Sequence, residues 1–259
     1  MISPLAYVDK EARIGANVTI HPFAYIDKNV EIGDNCTIMP YASILSGTRM
    51  GTDNIIYQGA IIGATPQDFK FKGEDTLLKI GNHNTIREKV ILNRGTNTTD
   101  CTIIGDGNFL LEGVHLAHDT HLGSHCVLGN AAKTAGNCII DDKAILGSEV
   151  IVKHGCRIGS WALLRDGCRA NKDVPPYIVA AHNPISYYGI NALILAKEGH
   201  LTENVIDNIA KCYRQIYQCG TSLENALRRI KDIIPLSPEI TYLVDFIEQS
   251  KKGIIGTTM

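Results

Sequence analysis

One short stretch of the chain, residues 113–121, groups the side chains best suited to acid–base chemistry. Three of the nine histidines lie in it, and His118 is followed directly by Asp119, with His115 three residues earlier. A carboxylate beside an imidazole can orient the ring and stabilise its protonated form, as general base catalysis on a hydroxyl group requires. We therefore predict that His118 is a general base assisted by Asp119, the alternative being an ordinary surface histidine.

These side chains lie within a repeat that has a period of six residues. From Val8 to Leu164, every sixth position is Val, Ile, Leu or Met at 23 of 27 positions. The exceptions are Asp68, Glu74, Thr98 and Thr134. An α-helical period cannot stay in phase with six over this length, whereas six-residue repeats are typical of a parallel β-helix. We predict that the large aliphatic residues point inward and stack on their equivalents in neighbouring coils.

The repeat also explains most of the eight cysteines. The fourth residue after each aliphatic position is usually small, and five cysteines occupy that slot: Cys36, Cys126, Cys138, Cys156 and Cys168. We expect them to be buried as small hydrophobic residues rather than to act as metal ligands or cross-links. The other three, Cys101, Cys212 and Cys219, have no metal-binding spacing. A glycine often follows the aliphatic residue, and we expect glycine and other small or polar residues to turn the corners.

Two segments interrupt the repeat before it ends. The pattern is broken at residues 64–79 and at about 95–102. Long excursions from a regular solenoid often carry function, and the alternative is that both segments are solvated loops. The repeat stops at residues 174–176 (VPP), and the pattern becomes helical from about residue 189. We therefore predict an all-β β-helix over residues 1–188, with loops at 64–79 and 95–102, and a C-terminal all-α domain over residues 189–259.

Capping signals divide the C-terminal region into helices. Thr202 can cap a helix over about 203–218, and residues 221–224 (TSLE) form a capping box. Ser237 provides a further N-cap, with Pro238 in the first turn. We predict three or four short helices that cap the open end of the solenoid and help to hold subunits together.

Coil geometry places a second histidine on the same corner as His118. Eighteen residues make one three-sided coil, so His154, which follows His118 by 36 residues, lies two coils further along. Coils rise by about 4.8 Å, so the two rings are expected roughly 10 Å apart. That separation suits two parts of one extended substrate better than two ligands of one metal.

The composition excludes several classes of function. Lys and Arg number 25 against 27 Asp and Glu, so the chain lacks the basic surface that binds nucleic acid or anionic lipid. The N-terminal sequence MISPLAYVDK is neither a signal peptide nor an apolar anchor. We therefore expect a cytoplasmic protein with no membrane span.

Several motifs closely resemble one family. They are the opening MISPLAYVDKEARIG, IYQGAIIG followed by PQD-x-K, IRE-x-V-x-x-NRGT, HLAHD, and DVPPYIVA followed by YGIN. From residue 1 to about 250, the chain resembles the UDP-N-acetylglucosamine O-acyltransferases of the lipid A pathway. The resemblance implies a left-handed β-helix and a homotrimer with active sites between subunits. It also implies transfer of a 3-hydroxyacyl group from acyl carrier protein to the 3-hydroxyl of UDP-N-acetylglucosamine, the first step of lipid A synthesis. No metal or cofactor is implied, because the acyl donor is carried on the phosphopantetheine of acyl carrier protein.

The resemblance also assigns roles by position. His118 matches the family's general base and Asp119 matches its neighbouring carboxylate. His115 matches a residue of the sugar site. In the first interrupting segment, Asp68 and Lys70 match residues that hold the amino sugar and its phosphates.

Some matched positions depart from the family pattern. Asn137 replaces a His that usually follows Ala-Gly, and Lys153-His154 replaces His-Gln. We expect Asn137 and His154 at the substrate site. A glycine pair is replaced by Arg165 and Asp166, which we expect along the acyl groove, where an unpaired buried charge is costly.

The helical region departs as well. Asn191 matches a residue near the donor, but Leu193 and Lys197-Glu198 stand where the family has Glu and two Arg. Arginines there would meet phosphates, whereas a Glu is repulsive. The departures leave open a shifted nucleotide or acyl preference and a coenzyme A-dependent acetyl- or short-acyltransferase acting on another nucleotide sugar. They also leave open a trimeric binding protein and a zinc enzyme of the carbonic-anhydrase type, which would need three histidines converging across a subunit boundary.

Overall fold

The computed structural model describes residues 1–99 and 101–257, and short strands recur along the chain from residue 7 to residue 190. In chain order the strands are β1 (Tyr7–Val8), β2 (Arg13–Ile14), β3 (Thr19–Ile20), β4 (Tyr25–Ile26), β5 (Glu31–Ile32), β6 (Thr37–Ile38), β7 (Ser43–Ile44), β8 (Thr48–Met50), β9 (Ile55–Ile56), β10 (Ile61–Ala64), β11 (Leu78–Ile80), β12 (Thr85–Ile86), β13 (Ile91–Asn93), β14 (Thr102–Ile104), β15 (Phe109–Leu110), β16 (His115–Leu116), β17 (His121–Leu122), β18 (Val127–Leu128), β19 (Lys133–Thr134), β20 (Ile139–Ile140), β21 (Ile145–Leu146), β22 (Ile151–Val152), β23 (Arg157–Ile158), β24 (Leu163–Leu164), β25 (Arg169–Ala170), β26 (Ile178–Ala181) and β27 (Ser186–Ile190).

These strands form the three faces of a left-handed parallel β-helix. Face 1 contains every third strand from β1 to β25, face 2 every third strand from β2 to β23, and face 3 every third strand from β3 to β24, followed by β26 and β27. In a regular coil, each strand residue pairs with the residue 18 positions later. Tyr7 pairs with Tyr25, for example, and Val8 pairs with Ile26. The fold class predicted from the six-residue repeat is therefore confirmed.

Two loops leave the solenoid at one corner, between face 1 and face 2. The first loop, residues 65–77, connects β10 to β11. The second loop, residues 94–101, connects β13 to β14, and its residue 100 lies outside the described part of the chain. Across these loops Ile61 pairs with Ile91 and Ile91 with His115, so the faces remain in phase although the coils are longer.

The inward positions of the three faces stack into one hydrophobic core. The aliphatic residues of the repeat are buried along it, as at Ile20, Ile38 and Ile56 on face 3, all 0% exposed. The small slot is buried too, and it contains Cys36, Cys126, Cys138, Cys156 and Cys168. Burial raises the pKa of the Cys126 thiol to about 12, so this thiol is unreactive at neutral pH.

Glycine allows close stacking at the corner between face 2 and face 3. A Cβ at Gly33 would lie 2.6 Å from the carbonyl carbon of Gly51 in the next coil. The left-handed turn itself is made two residues later, by Asn35 with φ 59°. At this corner the polar residue Asn35 makes the turn, and Gly33 lets two backbones approach.

The solenoid ends in an antiparallel hairpin and a set of short helices. Strand β27 pairs with β26 and contains both sides of the domain boundary proposed at residues 188 and 189. The helices are α1 (Ala192–Lys197), α2 (Glu203–Tyr217), α3 (Leu223–Ile233) and α4 (Pro238–Glu248). Within the described residues, none of these helices has the length and apolar character needed to cross a bilayer.

The helix N-termini follow the capping signals with one difference. The side chains of Thr202 and Ser237 accept backbone N–H groups at the starts of α2 and α4, as predicted. At α3 the predicted cap is wrong by one residue. The N-cap is Ser222, which has an extended backbone and accepts the Asn225 N–H, because the helix begins at Leu223.

Helix α4 is attached to face 2 by polar contacts. The Tyr242 hydroxyl donates to Asp141 Oδ2 at 2.6 Å and accepts the Ser160 N–H at 3.0 Å. The Arg157 guanidinium lies 4.5 Å from the ring centre of Phe246. These contacts hold the helical region against the last coils of the solenoid.

Candidate active site

The corner between face 1 and face 2 collects most of the candidate residues. His118 and Asp119 follow β16 at this corner, and Asp119 makes the turn with a left-handed backbone (φ 57°). The two loops leave the solenoid at the same corner, on the two preceding coils. Residues distant in the sequence therefore lie around one imidazole ring.

Asp119 fixes the tautomer of His118. The Nδ1 atom of His118 lies 2.8 Å from Asp119 Oδ2. Because an ionised carboxylate can only accept, Nδ1 carries the proton and Nε2 is left as the basic nitrogen. The two side chains are 11% and 3% exposed, so water has little access to the pair.

The second loop keeps Asp119 ionised. Thr96 donates its backbone N–H to Oδ1 at 2.9 Å and its hydroxyl to Oδ2 at 2.6 Å. Burial by itself raises the pKa of Asp119, but the hydrogen bonds from Thr96 and His118 outweigh burial and hold the pKa below its usual range. The Asp119 N–H donates to Thr102 Oγ1 at 2.9 Å, which secures the backbone of the turn. Thr96 was not singled out from the sequence, although the loop that contains it interrupts the repeat.

The first loop places Asp68 opposite the basic nitrogen of His118. Asp68 Oδ2 lies 3.8 Å from His118 Nε2. The other oxygen, Oδ1, accepts the Lys70 backbone N–H at 2.8 Å, while the Lys70 side chain is exposed. A hydroxyl group that contacts both Nε2 and Asp68 would therefore meet two acceptors.

Gly136 makes room for the His118 ring. A Cβ at this position would lie 2.3 Å from Cε1 and 2.6 Å from Nε2 of the imidazole. Gly136 is one coil beyond His118, so the ring lies over the backbone of the next coil. Gly136 was not singled out from the sequence. The 18-residue coil could have identified it, because residue 136 lies one coil beyond residue 118.

A buried hydroxyl group supports the corner from inside. Thr134 occupies an inward aliphatic position and is 4% exposed. Its Oγ1 accepts the Ala117 N–H at 3.2 Å and lies 3.2 Å from the Thr120 hydroxyl. In the sequence, Thr134 is visible as an exception to the aliphatic series, and that exception could have indicated a polar role beneath His118.

His115 lies beside this corner on face 1. Its Nε2 is 2.7 Å from Asn93 Oδ1 at the end of β13. Burial lowers the pKa of His115, and the positive charge of Lys133 lowers it further. The imidazole is therefore neutral at physiological pH.

Two further predicted residues share the corner without contacting the His118 side chain. Asn137 is exposed, and its N–H donates to the His118 carbonyl at 3.0 Å. His154 and Lys153 are both exposed one coil further on, where the Gly155 N–H donates to the Gly136 carbonyl at 3.1 Å. Residues 118, 136 and 154 thus form one column, as the 18-residue register predicts.

Arg165 and Asp166 lie at a different corner, between face 3 and face 1. Asp166 Oδ1 accepts the Ser148 N–H at 2.8 Å. The Arg165 guanidinium lies 4.1 Å from the ring centre of Tyr188. Both charges are exposed and have partners, so within one chain they are not brought to His118.

Asn191 lies at the third corner, between face 2 and face 3. Its side-chain Nδ2 donates to the Trp161 carbonyl at 3.0 Å, and the residue is 5% exposed. On the following helix α1, Leu193 is 75% exposed and Glu198 is the C-cap. The candidate residues of one chain thus divide among three corners.

The comparisons with known proteins decide the family. Residues 173–255 match the model of the second domain of UDP-N-acetylglucosamine O-acyltransferase, and residues 11–40 and 29–64 match the bacterial transferase hexapeptide repeat. An acyl-[acyl-carrier-protein]–UDP-N-acetylglucosamine O-acyltransferase from Halorhodospira halophila is 44% identical over 255 residues, covering 98% of each chain. The chain belongs to the UDP-N-acetylglucosamine O-acyltransferase family.

Other members of the family extend the likeness. A protein of the same name from Thermodesulfovibrio yellowstonii is 39% identical, covering 98% of this chain and 96% of that protein. The crystal structure of the UDP-N-acetylglucosamine acyltransferase from Bacteroides fragilis has a TM-score of 0.97 and 51% identity, covering 98% of this chain and 100% of that chain. The predicted resemblance is confirmed, and it includes the helical region.

Membership of the acyltransferase family also bears on the alternatives. It favours acyl transfer over the binding-protein and zinc-enzyme alternatives. Within residues 1–99 and 101–257, no three or more His, Cys, Asp or Glu side chains are grouped so that they could hold a metal ion. Nε2 of His115 faces Asn93, and Nδ1 of His118 faces Asp119.

Proposed function

We propose that the chain transfers a 3-hydroxyacyl group from acyl carrier protein to the 3-hydroxyl of UDP-N-acetylglucosamine, the first step of lipid A synthesis, with His118 as the general base. The observation that supports this proposal best is the His118 tautomer. Nδ1 donates to Asp119 at 2.8 Å, so Nε2, which lies 3.8 Å from Asp68 Oδ2, has its lone pair available. A neutral imidazole in that state can accept the proton of a sugar hydroxyl.

The reaction needs two proton transfers at Nε2. In the first, Nε2 takes the proton of the 3-hydroxyl as its oxygen attacks the thioester carbonyl, and a C–O bond forms to give a tetrahedral intermediate. In the second, the intermediate collapses, the C–S bond breaks, and the imidazolium returns the proton to the departing phosphopantetheine thiolate. The products are the O-acylated sugar nucleotide and the carrier thiol, and no external oxidant or reductant is required.

Asp119 lowers the barrier of the first step by stabilising the imidazolium that forms, and it keeps the ring oriented for the second step. Its carboxylate stays ionised because Thr96 donates two hydrogen bonds to it. The ion pair forms in a site where both side chains are almost fully buried, so its attraction is little screened by water. General base catalysis of this kind contributes typically about 10²–10⁴-fold to the rate.

The two loops and the column of residues above His118 supply contacts for the sugar nucleotide. Asp68 stands 3.8 Å from Nε2, where it can accept a second hydroxyl or the amide of the sugar. We assign the exposed Lys70 and His154 to the phosphates, and we assign the exposed Asn137, one coil beyond His118, to the same substrate.

We further propose that the working enzyme is a homotrimer with its active sites between subunits. In one chain His118, Asn191 and the pair Arg165 and Asp166 lie at three different corners, so no single chain can bring them to one substrate. Outward apolar residues on face 3, including Phe109, support an association of this face. Analytical ultracentrifugation measures the mass, and mixing His118→Ala with Asn191→Ala chains before refolding should restore activity in mixed trimers.

At the proposed acyl groove this chain departs from the family pattern. Arg165 is paired with the Tyr188 ring and Asp166 with the Ser148 N–H, so the two charges retain partners at the position where the family has two glycines. We propose that they limit the length or polarity of the acyl chain. Replacing Asp166 by glycine should then change the chain-length preference measured with a series of 3-hydroxyacyl carrier proteins.

A transfer assay tests the proposed function directly. Purified protein is incubated with UDP-N-acetylglucosamine and 3-hydroxyacyl carrier proteins of varied length, and the acylated sugar nucleotide is followed by mass spectrometry. Coenzyme A thioesters serve as parallel donors, because preference for them would favour the coenzyme A-dependent alternative. Product formation that is unchanged in His118→Ala would show that the proposed mechanism is wrong.

A further inference from the structure

Asn93 connects His115 to the base of the first loop. It is 0% exposed, and its Nδ2 donates to the Thr65 carbonyl at 2.7 Å and to the Ala64 carbonyl at 3.3 Å. Two carbonyl oxygens beside Nδ2 fix the orientation of the amide, so Oδ1 is the atom that faces His115. Asn93 therefore presents an acceptor to the imidazole.

That acceptor determines which nitrogen of His115 carries the proton. Nε2 lies 2.7 Å from Asn93 Oδ1, so Nε2 must donate. In the neutral ring the proton cannot be on Nδ1 as well, so Nδ1 carries a lone pair. This tautomer is the reverse of that in His118, where Nδ1 carries the proton.

The charged groups around His115 act against its protonation. Lys133 is the register partner of His115 on the next coil of face 1, and its positive charge lowers the pKa of His115 in addition to burial. On the preceding coil the partner is Ile91, which has no charge. The nearby carboxylates are committed elsewhere, since Asp119 accepts from His118, and Asp68 faces the His118 ring.

Arg94, next to Asn93 in the chain, directs its charge away from His115. Its guanidinium donates to Thr76 Oγ1 at 3.1 Å and lies 5.5 Å from the ring centre of Phe71. Both partners of Arg94 belong to the first loop. The charged residue that lowers the pKa of His115, in addition to burial, is therefore Lys133.

We propose that Asn93 and Lys133 are positioning residues that hold His115 as a neutral imidazole whose Nδ1 accepts a hydrogen bond from the sugar of the nucleotide substrate. The inference rests on the proposed function and deepens it, because it adds a selective acceptor to the sugar site. With His118 Nε2, His115 Nδ1 and the Asp68 carboxylate, the corner presents three acceptors. Such a site favours a sugar that offers several O–H or N–H donors and rejects an analogue that lacks one, because a buried acceptor would remain unpaired.

The tautomer is tested by nuclear magnetic resonance on protein labelled with ¹⁵N in its histidine rings. The His115 signals are assigned by their loss in His115→Gln. The expected spectrum shows a protonated Nε2 and an unprotonated Nδ1 at neutral pH. A protonated Nδ1 would overturn the proposal, and this readout does not depend on activity.

The role of Lys133 is tested by the pH dependence of substrate binding. Calorimetry measures the Kd for UDP-N-acetylglucosamine from pH 5 to pH 8 for the wild type, Lys133→Met and Lys133→Glu. Once His115 is protonated, Nδ1 donates and the sugar is bound less tightly. The rise in Kd at low pH should therefore begin at higher pH in Lys133→Met, and at still higher pH in Lys133→Glu. At the alkaline end, all three proteins should have the same Kd.

The exposed Lys79 on face 2 provides a matched control, because it also occupies an outward strand position. Lys79→Met should reproduce the wild-type profile. Superimposable profiles for Lys133→Met and the wild type would overturn the proposal, as would a Kd raised equally at every pH, which would indicate direct contact between Lys133 and the substrate. Wild-type protein that neither binds UDP-N-acetylglucosamine nor acylates it would instead overturn the proposed function.

Discussion

Replacing Gly136 by alanine should displace the His118 ring while leaving the solenoid folded. The added Cβ would lie 2.3 Å from Cε1 and 2.6 Å from Nε2 of the imidazole. Carbon atoms in ordinary contact are separated by roughly 3.5–4.0 Å, so the ring must retreat by about 1 Å. Gly136 does not have a left-handed backbone, so the alanine introduces no backbone strain of its own.

A displacement of this size would disrupt the pairing with Asp119. The Nδ1–Oδ2 distance is 2.8 Å, and an increase of about 1 Å takes it outside the range of a hydrogen bond. A misplacement of about 1 Å at a reacting group costs roughly 10²-fold in rate. That loss corresponds to about 2.7 kcal/mol of barrier height.

Steady-state kinetics and thermal unfolding together measure this prediction. For Gly136→Ala we expect kcat to fall by about 10²-fold, while KM for both substrates and Tm change little. Gly256→Ala is the control, because nothing lies within 4 Å of a Cβ at that position. The control should retain wild-type kinetics.

Two results would refute the reasoning about Gly136. One is a Gly136→Ala enzyme with kcat within about twofold of the wild type, since a displaced base costs far more than that. The other is full additivity of the two substitutions, in which the losses of activation free energy from Gly136→Ala and His118→Ala add in the double variant. If Gly136 acts only through the ring of His118, the double variant should be no slower than His118→Ala alone.

Three further predictions follow from the pair and from the buried thiols. Asp119→Asn should lower kcat by about 10²–10⁴-fold with little change in KM, measured by steady-state kinetics, because an amide cannot stabilise the imidazolium and can donate to Nδ1; activity within tenfold of wild type would contradict this. Thr96→Val removes the 2.6 Å hydrogen bond from the Thr96 hydroxyl to Asp119. In the wild type, the lowered pKa keeps the Asp119 carboxylate ionised until the pH falls through that pKa, and loss of the hydrogen bond should raise the pKa. The acidic limb of kcat/KM should therefore move to higher pH in Thr96→Val, whereas Thr96→Ser should not move it. Iodoacetamide followed by peptide mass spectrometry should label exposed Cys219 in native protein but Cys126 only after denaturation, and rapid native labelling of Cys126 would contradict its burial.

Much of the fold could be predicted because the repeat is a local property. Each six-residue unit contributes one aliphatic and one small inward residue, and identical units can bury them only by stacking. The same logic predicted the buried cysteines, of which Cys138 at 0% exposure is an example. It predicted that glycine and other small or polar residues turn the corners, but it did not predict which of them has the left-handed backbone. A glycine such as Gly33 can serve either a left-handed turn or a close approach of two backbones, and only the neighbouring coil distinguishes these.

The candidate site could be predicted in part. The pair His118 and Asp119 was found from adjacency and chemistry, and the 18-residue coil placed His154 on the same corner. Gly136 was predictable from the same arithmetic, since it lies one coil from each histidine. Thr96 was not predictable, because its contact with Asp119 depends on the path of a loop that has no period.

The sequence by itself determined the solenoid, the phase of its three faces and the corner that carries the histidine and aspartate pair. Those properties depend on a strict period, and a period can be counted along the chain. Only the tertiary structure decided the protonation pattern of the site, in which Nδ1 of His118 donates to Asp119 and Nε2 of His115 donates to Asn93. A tautomer depends on which acceptor lies within about 3 Å of each ring nitrogen. Here these acceptors come partly from a neighbouring coil and from the turn itself, so their positions become known only when the coils are stacked.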